Sequence, residues 1–209
     1  MPDLDAALEA MRHRYEGSLA EHGARSSLAV GWNDAALQAT RFDVLAQVME
    51  GDEPVTVADF GCGTGALFAH LAGRERPPLG GYVGYDVVAG FVEAARAEHA
   101  DPRARFVLAS EVTEDADYVL ASGALTLRPG IRDEDWEAHI RARLAALWAR
   151  AGRGLAFNLL ARQAEPPVEG YYAGDPVAWA TWCSQALDGA RVALRQGPPL
   201  PEFTVLIRR

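Results

Sequence analysis

The sequence has 209 residues, 49% of them hydrophobic, which suits one α/β domain with a sizeable core. Its formal net charge of −9 gives an acidic surface that repels phosphate backbones, so we expect no nucleic-acid partner. Apolar runs fall short of transmembrane length, and the two cysteines form no CxxC or Cys/His pair, so we expect a cytoplasmic protein with no membrane partner and no metal.

The first fifty residues predict two helices that cover the rest of the chain. Apolar side chains recur at helical spacing in the first of them, at Leu4, Leu8, Met11, Tyr15 and Leu19. A second helix begins after Asn33, which can cap it, and runs to about Met49. We therefore expect a helical cover over residues 1–50 and a main domain over residues 51–209.

From residue 55 onward, strands alternate with helices. Strands are predicted at VTVADF, GGYVGYDV, ARFVLAS, DYVLASGAL and GLAFNLLA. Helices are predicted at GALFAHLAGRE, at VAGFVEAARAEHA, from a capping Asp133 to about Arg150, and over residues 176–188. This alternation indicates a mostly parallel sheet with right-handed crossovers.

The end of the chain departs from that pattern. Two further strands, ARVALR and EFTVLIRR, are separated only by QGPPLP. Parallel neighbours need a crossover of about a dozen residues or more, so this pair is antiparallel. The predicted fold class is α/β: a doubly wound, mostly parallel seven-stranded sheet, with an antiparallel C-terminal hairpin at or next to its edge and an N-terminal helical cover.

Three glycines at alternate positions follow the first predicted strand, in VADFGCGTGAL: Gly61, Gly63 and Gly65. Ligands of open α/β sheets bind beyond the carboxyl ends of the strands, where glycines let the backbone approach them closely. The free N–H groups of the next helix favour an anionic or polar ligand there. A plain glycine-rich turn is the alternative.

Asp86 ends the second predicted strand, 21 positions beyond Gly65. A carboxylate at this place can accept both ribose hydroxyls of an adenosine cofactor. It can also cap the next helix, and one residue can do both. Together with the glycines, Asp86 favours an adenosine-containing ligand over a plain turn.

The segment DFGCGTG, with Asp59 two residues before the first glycine, resembles the signature of the class I S-adenosylmethionine-dependent methyltransferases. The resemblance covers about residues 55–209 and includes the antiparallel last strand. It implies S-adenosyl-L-methionine as cofactor. The implied cofactor-binding residues are Asp59, Gly61, Cys62, Gly63, Gly65, Asp86, Val87, Ser110, Glu111, Ser122 and Gly123.

Three residues before the main domain extend this set. Arg41 lies on the apolar face of the second helix, between Leu37 and Val44. A guanidinium there needs an anion, which is either a carboxylate of the domain or the methionine carboxylate of the cofactor. Gln38 would stand beside Arg41 as a second donor, and Trp32 would either stack on the ligand or staple the segment to the domain.

The sequence does not assign a general base. Candidates are His139, on the helix after the fourth strand, and Tyr171 and Tyr172, in the loop after the fifth strand. The alternatives are a partly solvated helix histidine and aromatic loop packing. The segment ASGALTLRPG has no carboxylate, and we expect no metal there.

We therefore expect an enzyme that transfers a methyl group from S-adenosylmethionine to the oxygen or nitrogen of a small molecule, acting as a monomer or homodimer. Two alternatives remain open. One is a nicotinamide-dependent oxidoreductase, against which the GxGxG spacing and the terminal hairpin argue. The other is a catalytically silent protein that binds the cofactor or a partner.

Overall fold

The computed structural model describes residues 4–23, 26, 34–128, 130–162, 170–197 and 199–209. The helices are α1 (Leu4–His22), α2 (Ala35–Ala46), α3 (Ala66–Ala72), α4 (Ala89–Glu98), α5 (Asp133–Arg150) and α6 (Pro176–Ala186). The strands are β1 (Val55–Phe60), β2 (Leu79–Asp86), β3 (Ala104–Leu108), β4 (Ala116–Ala121), β5 (Ala151–Ala161), β6 (Ala173–Gly174), β7 (Arg191–Gly197) and β8 (Leu200–Arg208).

The sheet has the order β3-β2-β1-β4-β5-β8-β7, and the two-residue β6 pairs with β5 beside this path. Strands β1 to β5 pair in parallel, whereas β8 is antiparallel to both β5 and β7. The mostly parallel sheet and its antiparallel C-terminal hairpin are confirmed, with β7 at the edge. The short β6 is an addition to the seven strands that the sequence predicts.

Helices lie on both faces of the sheet because its central strands are apolar on both sides. Strand β5 is buried over most of its length, as is β8. One core cluster joins the sheet to α5 and α6, around Trp136 and Trp179. A second joins the opposite face to α2, α3 and α4, around Phe68. This doubly wound arrangement leaves the carboxyl ends of the parallel strands free to form a site.

Helix boundaries differ from the prediction at two N-termini. Asp34 caps α2, because its carboxylate accepts hydrogen bonds from the backbone of Ala36 at 2.7 Å and Leu37 at 3.2 Å. Asn33 lies outside the described residues. Asp133 is the first residue of α5, and the N-cap position before it is Arg132, which makes no side-chain cap.

The two N-terminal helices pack on the main domain at different places. In α1, Tyr15 and Leu19 pack against Val88 and Phe91 of the region around α4. Helix α2 packs against β8 and β5 as well as α3. The division of the chain at residue 50 stays a prediction. Among the described residues, no helix combines the length and hydropathy that a bilayer crossing requires.

Candidate active site

A cleft of about 890 Å³, its open mouth included, lies at the carboxyl ends of β1, β2 and β4. Its floor is the glycine turn after β1 and the end of β2. Helix α1 contributes Met11 and Tyr15 to its wall, and α2 contributes Gln38 and Phe42. The edge of the sheet and both N-terminal helices therefore form the cleft together.

The glycine turn has a backbone that residues with a side chain rarely adopt. Gly61, Gly63 and Gly65 have φ values of +76°, +53° and +84°. A Cβ on Gly61 would lie 2.5 Å from the Cβ of Ala124, in the segment after β4. The glycines are therefore required both by the left-handed backbone and, at Gly61, by the close approach of the neighbouring segment.

Asp86 holds this turn in place. Its Oδ2 accepts a hydrogen bond from the backbone N–H of Gly63 at 2.8 Å, and its Oδ1 accepts one from Val88 N–H at 2.9 Å. Burial raises the pKa of the carboxyl, and these backbone bonds oppose the rise. Asp86 thus joins the glycine turn to the start of α4, and each oxygen keeps a second lone pair for a ligand.

Asp59, at the end of β1, is fully buried beneath the turn. The Tyr82 hydroxyl donates a hydrogen bond to its Oδ2. Burial raises the pKa of Asp59 to about 7; the Tyr82 bond acts against this rise and the negative charge of Asp86 adds to it. A carboxyl with such a pKa readily becomes a carboxylate when a cation lies beside it.

Three residues that line the cleft carry a buried oxygen atom without a hydrogen-bond partner in the described part of the chain: Asp59 (Oδ1), Tyr85 (hydroxyl) and Ser122 (Oγ). Buried polar atoms are seldom left without a partner. Their convergence on one cleft indicates a polar ligand that completes their hydrogen bonds.

The wall beside β4 is formed by Ser122, Gly123 and Ala124. Gly123 has a φ of +71°, and its backbone N–H donates to the Oδ1 of Asn158 on β5 at 2.7 Å. The turn that carries Ser122 into the cleft is therefore tied to the neighbouring strand.

Arg41 and Gln38, both on α2, have different surroundings in the structure. Gln38 lines the cleft, as does Val87 after β2. Arg41 is buried and donates a hydrogen bond from Nε to the carboxylate of Glu202 on β8. This contact favours the alternative in which a carboxylate of the domain is the partner of Arg41, and its contact with the cofactor stays a prediction. Trp32 lies outside the described residues.

Ser110 and Glu111 lie away from the main cleft. Both are exposed, and Arg143 contacts them, with 3.4 Å from Nη1 to the Ser110 carbonyl oxygen and 3.3 Å to the Glu111 carboxylate. Ser110 lines a second, adjoining cleft between α1 and α5, together with Arg143 and His139. The two clefts share four lining residues: Met11, Phe60, Val87 and Ala124.

His139 stacks on Trp136, with ring centroids 5.0 Å apart. Burial, reinforced by the charge of Arg143, lowers the pKa of His139 to about 4. The imidazole is therefore neutral at pH 7 and only weakly basic. It lines the second cleft and not the main one, which leaves its role as a base a prediction.

The two tyrosines after β5 have different environments. Tyr172 is buried, donates to Glu137 at 2.8 Å and accepts from Trp179 Nε1 at 2.9 Å, and burial raises its pKa. This geometry favours the packing alternative for Tyr172. Tyr171 is half-buried beside Arg14 of α1, whose guanidinium carbon lies 5.5 Å from the centre of its ring.

Sequence reasoning missed four polar residues of this region: Tyr82, Tyr85, Asn158 and Glu202. A signal existed for two of them. Asn158 interrupts the apolar run GLAFNLLA, and Glu202 heads the apolar run FTVLI. A polar side chain within a buried strand needs a hydrogen-bond partner, which marks both as members of a polar network.

Sequence comparison gives the family of the chain. It is 33% identical over 166 residues to "Putative methyltransferase Rv1506c" of Mycobacterium tuberculosis, and the match covers 78% of this chain and 98% of that protein. The chain belongs to the methyltransferases. No protein-family model matches the sequence.

Solved structures show the same fold for this methyltransferase. The DhpI-SAM-HEP complex has a TM-score of 0.70 at 16% identity and covers 100% of both chains. The magnesium protoporphyrin IX methyltransferase ChlM from Synechocystis PCC 6803, with bound SAH, has a TM-score of 0.68 at 15% identity and covers 96% of this chain and 98% of that one. The fold is that of the class I S-adenosylmethionine-dependent methyltransferases.

Proposed function

We propose that this methyltransferase uses S-adenosyl-L-methionine to methylate a small molecule in the cleft above the glycine turn. The observation that carries the proposal is the turn itself: three left-handed glycines, tied through Gly63 to Asp86, at the carboxyl ends of the strands. This is where an open α/β sheet binds a nucleotide-like ligand. Membership of the methyltransferase family and the solved structures with SAM or SAH support this cofactor.

The lining of the cleft fits the chemical groups of that cofactor. Asp86 retains lone pairs for the two ribose hydroxyls, and Val87 offers an apolar surface beside it. Asp59 would face the cationic methionine portion, for which a carboxyl with a pKa of about 7 is suited. Gly61, Cys62 and Gly63 line the cleft and would bring the backbone close to the ligand. Gly65 does not line the cleft, because the space that a Cβ would take there is filled by His99 and Phe106.

The other residues that the sequence assigns to the cofactor differ in how close they lie to the main cleft. Ser122 and Gly123 line the main cleft and would form its methyl-transfer side. Ser110 lines only the adjoining cleft. Adenine would reach Ser110 where the two clefts meet, beside Val87, whereas Glu111 lines neither of these clefts. Gln38 lines the cleft from α2 and would donate to the methionine portion.

The chain has three tasks in the reaction. The cofactor, when bound, would supply an electrophilic methyl group on its sulfonium, whose bond to sulfur would break, leaving a neutral thioether, as the acceptor's nucleophile takes the methyl. The protein aligns the two reactants, and the apolar walls formed by Met11, Phe42 and Phe60 exclude water from between them. Ser122 lines the cleft, and its buried hydroxyl, which has no hydrogen-bond partner in the described part of the chain, would orient an acceptor hydroxyl.

A small acceptor fits the geometry better than a polymer. The net charge of −9 opposes a polyanionic acceptor, and the main cleft is covered on one side by α1 and α2. Within the described residues, no group of three or more His, Cys, Asp or Glu side chains is arranged to hold a metal ion. We therefore propose O- or N-methylation that relies on alignment.

Titration calorimetry tests the cofactor. S-adenosylhomocysteine and S-adenosylmethionine should bind with dissociation constants on the order of micromolar, and NADH should release no binding heat. Binding of NADH alone would overturn the proposal. A subsequent screen with methyl-labelled S-adenosylmethionine and panels of small hydroxyl and amine acceptors should yield a labelled product. Cofactor binding without transfer to any acceptor class would support the catalytically silent alternative.

A further inference from the structure

Buried polar groups connect helix α2 to the turn that carries Ser122. Arg41 donates from Nε to Oε1 of Glu202, and Asn158 donates from Nδ2 to the same oxygen at 3.0 Å. The N–H of Gly123 then donates to Oδ1 of Asn158 at 2.7 Å. The exposed fractions of Arg41, Glu202 and Asn158 are 7%, 4% and 3%. We name these three residues the polar relay.

The hydrogen bonds of the polar relay can form with only one assignment of donors and acceptors. A carboxylate accepts hydrogen bonds and cannot donate them, so Glu202 must face the amide nitrogen of Asn158. The amide oxygen of Asn158 is then turned toward Gly123, where it can accept the backbone N–H. Glu202 therefore selects the amide orientation that Gly123 requires. Arg41 supplies the positive charge without which a buried carboxylate would be costly.

Stability alone is a weak reason for such a network. A buried ion pair often contributes less to folding than apolar side chains of similar volume would. The polar relay, however, connects two elements that line the cleft. Helix α2 carries Arg41 and also brings Gln38 and Phe42 to one wall, and Gly123 precedes Ala124 on another wall.

We propose that Arg41, Glu202 and Asn158 are positioning residues for the methyl-transfer side of the cleft. They hold the left-handed turn at Gly123, and with it the Ser122 hydroxyl, at a fixed distance from the wall formed by α2. The inference rests on the proposed function in that S-adenosylhomocysteine is the ligand whose affinity reports the position of the turn.

Four variants test this role. Asn158→Leu and Glu202→Leu remove the relay with side chains of similar size, whereas Glu202→Gln keeps an oxygen at the position of Oε1. Thr204→Val is the matched control, because Thr204 lies two residues along β8, is equally buried and is outside the relay. Calorimetry with S-adenosylhomocysteine and the ¹H–¹⁵N signal of the Gly123 amide are measured for each folded variant.

Both leucine variants should raise the dissociation constant of S-adenosylhomocysteine by about tenfold, the effect of one misplaced hydrogen-bonding group. They should also shift the Gly123 amide signal and speed its hydrogen exchange. Glu202→Gln and Thr204→Val should keep the wild-type amide signal and stay within about threefold of the wild-type affinity. Lower thermal stability with unchanged affinity and an unchanged Gly123 signal in the leucine variants would overturn the proposal.

Two further results separate this inference from the proposed function. Wild-type protein should show a scalar coupling across the hydrogen bond from the Gly123 amide to the side-chain carbonyl of Asn158, and its absence would overturn the relay even if the leucine variants do not fold. A wild-type protein that does not bind S-adenosylhomocysteine would refute the proposed function, while the Gly123 signals would still test the relay.

Discussion

Replacing Asp59 with Asn should stabilise the protein progressively, relative to wild type, as the pH rises from 5 to 8. Asp59 is fully buried, and burial is the main cause that raises its pKa to about 7. Asn has nearly the same shape and carries no charge, and its amide oxygen can still accept the hydroxyl of Tyr82. The variant therefore removes a buried titration and little else.

The magnitude follows from the pKa difference between the two states. The ordinary pKa of the carboxyl is 3.8, and in the folded protein it is about 7. The folded state thus binds the proton more tightly, and this contribution to the free energy of unfolding is full below pH 3.8 and is lost as the pH rises to about 7. The whole contribution is roughly 4 kcal/mol, of which about 2–3 kcal/mol is lost between pH 5 and pH 8.

Urea unfolding, followed by tryptophan fluorescence at pH 5 and pH 8, measures the effect. The stability of Asp59→Asn relative to wild type should rise by about 2–3 kcal/mol between the two pH values, since other titrating groups cancel in the difference. Asp115, whose side chain is 78% exposed, supplies the control. Asp115→Asn should change the free energy of unfolding by less than about 0.5 kcal/mol at either pH. A pH-independent difference for Asp59→Asn would refute the argument.

Three further substitutions probe the site. Asp86→Ala should weaken the binding of S-adenosylhomocysteine by about 1.5–3 kcal/mol in calorimetry. An unchanged affinity would show that Asp86 only holds the backbone of the glycine turn and of α4. Gly61→Ala should lower stability by about 1–3 kcal/mol in urea unfolding because of its left-handed backbone, whereas Gly73→Ala, at φ −90° with open space around it, should not. Arg41→Ala should weaken S-adenosylhomocysteine binding to the same degree as Glu202→Leu, because Arg41 and Glu202 form one pair; a much larger loss would instead assign Arg41 to the methionine carboxylate of the cofactor.

Local patterns in the sequence were enough to predict the architecture. Strand and helix periods differ along the chain, and a six-residue link between the last two strands permits only an antiparallel pair. The glycines of DFGCGTG and the acid at the end of the second strand indicate a ligand site, because each directly follows or ends a predicted strand. For these reasons the mixed sheet could be predicted before any contact was known, and the resemblance of DFGCGTG to the family's signature indicated the methyltransferases.

Contacts between distant segments were decided only by the tertiary structure. Arg41 could be recognised as a cation that needs an anion, yet its partner Glu202 is 161 positions away and reaches it because β8 lies beside β5, under α2. Tyr172 could equally have faced a ligand, until Glu137 and Trp179 were seen to satisfy its hydroxyl. Periodicity fixes which face of an element is buried, but the partner across that face depends on how the elements pack. The sequence by itself therefore determined the fold and the ligand-binding edge of the sheet, and the packing of β5, β8 and α2 determined which polar groups meet there.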